Sequence, residues 1–96
     1  MNLNEAKMRA VEAVRIRLKK KGIKENLDLM LTHLMEEIGE LALQVNNEKL
    51  KRKPIDIQNV GEELSDCIIL LLTIANHFDI DIEKALLEKM EEIIRK

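Results

Sequence analysis

Two acidic clusters of one shape occur in this short chain, Glu36-Glu37-Ile38-Gly39-Glu40 and Glu62-Glu63-Leu64-Ser65-Asp66. In each, an adjacent pair of glutamates is followed one helical turn later by another carboxylate, so the last two acids can stand above one another on a helix. Carboxylates gathered at one place repel each other and either take up protons or recruit a cation. A donor set made of oxygens suits a hard divalent ion. Mg²⁺, which keeps some of its waters for a phosphate-bearing substrate, is the commonest such case.

Helical geometry sharpens the pairing. With Ile38 at the centre of an apolar stripe, Glu37 lies about 100° to one side, Glu40 about 60° further round and Glu36 nearly opposite. With Leu64 at the centre of a second stripe, Glu63, Asp66 and Glu62 take the matching angles. Glu37 and Glu40 precede a polar connection by roughly eight residues, and Glu63 and Asp66 follow it by roughly eight, so in an antiparallel hairpin both pairs sit about 12 Å from the turn. A hairpin rotated so that these faces converge brings Glu37, Glu40, Glu63 and Asp66 to one level. His33 and Gln44 on the second helix and Asn59, Leu70 and His77 on the third fall on the same faces, and His33, one turn before Glu37, could line the site. In a chain with 18 acidic residues either cluster alone reads better as a solvated helix face. Agreement in spacing, angle and height together favours the cation.

The elements that must position these groups are helical. The 96 residues are 46% hydrophobic and 35% charged, with three Gly, one Pro and a single aromatic, Phe78. That composition favours an all-α domain over a sheet or a disordered chain. A first helix is expected from about Asn4 to Lys21, packing through Leu3, Ala10, Val14 and Leu18 and ended by Gly22. Its other face carries Arg9, Arg15, Arg17 and Lys19, one of which could reach an anionic ligand. A second helix is expected from about Asn26 to Asn46, with Leu27, Leu31, Leu34, Ile38, Leu41, Ala42 and Val45 as its core stripe. A polar hinge to Pro54 follows, whose basic residues Lys49, Lys51, Arg52 and Lys53 could close over a phosphate chain.

A third helix, capped by Asp56, is expected over Ile57 to Phe78, with Ile57, Val60, Leu64, Cys67, Ile68, Leu71, Ala75 and Phe78 as core. It is apolar nearly all round, and Ile69, Leu70, Leu72 and Ile74 on its further side suggest a subunit interface. Asp81 caps a fourth helix whose apolar face is Ile82, Leu86, Met90 and Ile93. A net charge of −2 gives no basic field for nucleic acid. Met1 to Ala10 lacks signal-peptide character, and the apolar run Cys67 to Ala75 falls far short of the ~20 residues of a membrane span. A cytoplasmic protein is expected. The lone Cys67 reads as a buried thiol.

These residues resemble the MazG-like, all-α nucleoside triphosphate pyrophosphohydrolases, whose hallmark is EExxE, a spacer, then ExxD. The match is Glu36-Glu37-x-x-Glu40, 22 intervening residues, and Glu63-x-x-Asp66. Flanks agree as well: Met35 to Ala42 resembles the family's EExGELA stretch, and Ile80 to Ala85 its later IDLEeA turn. The resemblance implies Mg²⁺ (Mn²⁺ as a substitute) held by Glu37, Glu40, Glu63 and Asp66, with Glu36 as an outer partner or a water-binding group. It also implies hydrolysis of a (d)NTP to the monophosphate and pyrophosphate, with Glu36 or Glu40 as proton acceptor. Some members carry Lys-x-x-x-Asn-x-x-Arg near the C-terminus. Lys89 matches its Lys, whereas Ile93 and Lys96 stand at the Asn and Arg. At the end of the third helix, where members recognise the base, this chain has Asn76, His77 and Phe78.

The sequence therefore predicts a single all-α domain over residues 1–96, a four-helix MazG-like bundle with helices 2 and 3 as an antiparallel hairpin, assembled as a homodimer or dimer of dimers. It predicts catalytic Glu36 and Glu40 and substrate contacts from His33, Asn76 and Lys89, in a nucleotide house-cleaning enzyme. Two rivals are a phosphoribosyl-ATP pyrophosphohydrolase on the same fold and a non-catalytic helical dimerisation module with solvated acidic faces.

Overall fold

The computed structural model describes residues 1–51 and 54–96. Four helices follow in order: α1 (Leu3–Lys21), α2 (Leu27–Lys51), α3 (Ile57–His77) and α4 (Ile82–Ile94). Among the described residues there is no strand. No helix among the described residues is long and apolar enough to cross a membrane.

Local chemistry sets the helix ends. The Asn2, Asn26, Asp56 and Asp81 side chains accept the backbone N–H groups of Glu5, Leu29, Asn59 and Lys84, at 2.8, 2.8, 3.1 and 3.1 Å, satisfying donors that a helix N-terminus leaves free. Gly22, at φ 67°, closes α1 in the left-handed region, and the Ile23 N–H returns to the Leu18 carbonyl at 3.0 Å. This is the glycine-dependent termination expected there. α2 does not stop near Asn46 as expected but continues to Lys51. Asn46 and Asn47 are only mildly unfavourable in a helix, Glu48 to Lys51 are good helix formers, and the first strong breaker is Pro54. The basic side chains from Lys49 to Lys53, expected to close over phosphate, lie outside the described residues.

α3 is the central element, packed against both α1 and α2, while α4 touches α1. Buried Ala10, Val11 and Val14 of α1, Met30 and Leu34 of α2, and Cys67, Leu70, Leu72 and Ala75 of α3 form the interior. α4 contributes no buried residue. It is held at its start, where Asn4 Nδ2 donates to Asp81 Oδ1 at 2.9 Å and Lys7 Nζ to the Ile80 carbonyl at 2.7 Å.

The hairpin is rotated relative to the sequence-based expectation. On α2 the buried or half-buried positions include Leu27, Met30, Leu34, Glu37, Leu41 and Gln44, at the alternating three- and four-residue intervals of a helix seam. The expected stripe members Leu31, Ile38 and Val45 face outward instead, Ile38 being 47% exposed. On α3 the inward series includes Val60, Glu63, Cys67, Leu70 and Ile74, while Ile57, Leu64, Ile68, Leu71 and Phe78 are exposed. Leu70 and Leu72, expected at a subunit interface, are interior residues. A helix that is apolar on every side carries no signal for which side its own chain will cover. That choice was made by where α1 and α2 dock.

Candidate functional site

The rotation has a chemical consequence: Glu37 and Glu63 occupy interior positions of the two seams, between apolar neighbours. Leu34, Cys67 and Leu70 form the cluster beside them, with Ile74 packed against it. Glu37, whose side chain is only 12% exposed, is thus carried toward α3 by the same periodicity that buries Met30 and Leu34. One ligand oxygen from each of Glu37, Glu63 and Asp66 lies within 4.8 Å of the others. Removing carboxylates from water is costly unless a partner replaces the lost hydration.

Glu63 bears most of that cost. Its Oε2 is buried with no hydrogen-bond partner. Its carboxyl is pushed up to about 7, first because its proton is shared with Glu37 by hydrogen bonding, then by burial and by the charges of Glu37 and Glu40. Burial, followed by the charges of Glu37, Glu63 and Asp66, also raises the Cys67 thiol, so Cys67 stays protonated and supplies packing. His33 Nε2 lies 3.1 Å from Glu37 Oε1. As the Nε2–H tautomer or the imidazolium it donates to that oxygen and orients the carboxylate.

An all-oxygen set, partly desolvated, with one buried oxygen lacking a donor, fits a hard divalent cation. Glu37, Glu63 and Asp66 are the residues that could hold one, and Glu40 borders them. Glu40 is exposed and acts on Glu63 through its charge and a side-chain hydrogen bond, but it is not one of the converging three. Glu36 is also exposed and points to a different feature, a cavity of about 260 Å³ between α1 and α2. His33 lines the same cavity, together with Val14, Leu18, Met30 and Leu70.

Two expected substrate contacts are not brought to this place within one chain. Asn76 is ten residues beyond Asp66 on α3, about 15 Å along the axis at 1.5 Å per residue. Lys89 lies on α4, pairing with Glu92 at 3.6 Å. Neither lines the cavity. Of the four cations that the sequence placed on the outer face of the first helix, Arg17 is the one that arrives: its Nη2 stands 3.5 Å from Asp66 Oδ1. The available signal was spacing, since Arg17 follows buried Ala10 and Val14 at four- and three-residue intervals.

Comparison with known proteins adds a family. The family described as MazG nucleotide pyrophosphohydrolase domain matches residues 25–96, which span α2, α3 and α4. An uncharacterized protein, YpjD of Bacillus subtilis (strain 168), is 41% identical over 59 residues, covering 58% of this chain and 53% of the relative. The match thus extends over about half of that relative's length. No solved structure matches significantly.

Proposed function

The chain belongs to the MazG nucleotide pyrophosphohydrolase domain family, and on that premise we propose that it is a Mg²⁺-dependent nucleoside triphosphate pyrophosphohydrolase, splitting a (d)NTP with water into the monophosphate and pyrophosphate. The observation that carries the reading is the convergence of Glu37, Glu63 and Asp66 around a buried, unpartnered Glu63 oxygen. Those three would hold the ion, with Glu40 at its edge, and Mn²⁺ suits the same donors. When bound, the ion neutralises phosphate charge and acidifies a water.

The protein's own groups do the rest. His33 orients Glu37 through its 3.1 Å contact. Glu40, a solvent-facing carboxylate bordering the three, is free to accept the proton that water gives up as the bridging Pα–O bond breaks and pyrophosphate leaves, whereas Glu36 lines the cavity instead. The cavity beside His33 and Glu36 offers an apolar volume for the nucleoside. Clearing surplus or non-standard nucleotides from the cytoplasm is the role such chemistry serves.

The partner in this reading is a second copy of the chain. Leu31, Met35 and Ile38 of α2 and Leu64, Ile68 and Leu71 of α3 are exposed along one side of the hairpin. They form an uncharged patch of the kind that marks an interaction surface. Two such hairpins facing each other across a two-fold axis bury the same patch on both copies.

The test is pyrophosphate release from a panel of (d)NTPs with Mg²⁺, by the native protein and by Glu63→Gln and Glu37→Gln. Release by the native protein and its loss in both variants are expected. If no triphosphate is turned over, or if the variants remain fully active, the reading fails.

A further inference from the structure

Among the described residues, Arg17 is the one Arg or Lys that reaches any of the three converging carboxylates. It comes from a different helix, 49 residues from Asp66, so the contact is a product of the α1–α3 packing. The same side chain also lines the cavity between α1 and α2, as do Lys21 and Lys24. Its guanidinium therefore stands at the junction between an apolar chamber with a basic border and a carboxylate cluster.

Two features make this pair exchangeable. The Arg17 and Asp66 side chains remain 40% and 33% exposed, and the ion pair rests on one 3.5 Å contact. A short, bidentate guanidinium–carboxylate pair would be considerably stronger. Guanidinium also matches phosphate oxygens as well as it matches carboxylate.

We propose that Arg17 is a phosphate-positioning residue that exchanges partners: it neutralises Asp66 while the carboxylates are free of cation, and turns to the phosphate chain of the nucleotide when a divalent cation takes Asp66. This rests on the reading of Glu37, Glu63 and Asp66 as cation ligands. It also gives the substrate a direction, with the nucleoside in the chamber and the phosphates at Arg17. Arg17 thus opposes the cation in the empty site and supports the anion in the loaded one.

Those opposite signs separate the role from a structural one. Mn²⁺ affinity is read by electron paramagnetic resonance, and inorganic pyrophosphate affinity by calorimetry at saturating Mn²⁺, for the native protein, Arg17→Gln and Arg17→Lys. Arg17→Gln is expected to bind Mn²⁺ about twofold to fivefold more tightly, the range of a partly exposed ion pair, and pyrophosphate at least about tenfold more weakly, as for loss of a charge-assisted hydrogen bond. Arg17→Lys keeps the charge but not the fork, so its Mn²⁺ affinity stays near native while pyrophosphate affinity is only partly restored. The proposal is overturned if Arg17→Gln leaves either affinity unchanged or weakens Mn²⁺ binding. A native protein that binds no Mn²⁺ overturns the cation reading as well, whereas intact native Mn²⁺ binding with an indifferent Arg17→Gln overturns the exchange alone.

Discussion

Glu37 and Glu63 meet across the α2–α3 seam, each on a helix position that would otherwise carry a core side chain, and their proximity holds the Glu63 carboxyl up at about 7 instead of the ordinary 4.5. Two acids so placed weaken the seam unless something positive or a proton lies between them.

Stability without metal should therefore fall as pH rises. A carboxyl whose pKa is higher in the folded protein than in the unfolded chain favours folding while protonated. For Glu63 that contribution is complete below about 4.5 and is lost as pH climbs through about 7. Melting temperature in EDTA is expected to decline between pH 5 and about 8, and Glu63→Gln should flatten the decline. Saturating Mg²⁺ or Mn²⁺ should raise the melting temperature most at the upper end, where no proton competes for Glu63. A native profile as flat as that of Glu63→Gln would count against the coupling.

His33 is expected to tune the cation through Glu37, whose Oε1 lies 3.1 Å from its Nε2. Partners that orient a ligating carboxylate are commonly worth about 10–100-fold in metal affinity. His33→Ala should weaken Mn²⁺ binding by that order, and His33→Gln, which keeps an N–H donor, should recover part of it. Calorimetric titration gives the answer, and an unchanged affinity in His33→Ala would remove His33 from the site.

Neighbouring leucines on α3 should behave oppositely. Leu70 is 2% exposed and packed with Leu34 and Cys67, whereas Leu71 is 52% exposed. Leu70→Ala opens a cavity in the interior and should cost about 2–5 kcal/mol in urea unfolding. Leu71→Asp should preserve helicity by circular dichroism and reduce the solution mass measured by light scattering to that of a single chain. If the mass matches the native protein at every concentration, the exposed patch is not the contact between copies.

How much of this could be read from the chain depends on how local each feature is. Helix identities and most helix ends were legible because Asp56, Asp81 and Gly22 act on groups a few residues away. The alignment of Glu37 with Glu63 was legible for a related reason, since a helix converts spacing into angle and height by a fixed rule. The end of α2 was not, because two asparagines are too weak a signal to stop a helix that good formers extend to Lys51.

What the sequence determined by itself was the set of helices and a pairing of acids that demands a compensating charge. Which face of each helix went inward was decided by tertiary packing alone. α3 has apolar residues on every side, and only the docking of α1 and α2 made Leu70 interior and Leu71 exterior. The same docking turned Glu37 and Glu63 inward and selected Arg17 from among several cations on α1 to meet Asp66. Contacts between residues distant in sequence depend on the relative placement of whole helices, and periodicity within one helix does not encode that placement.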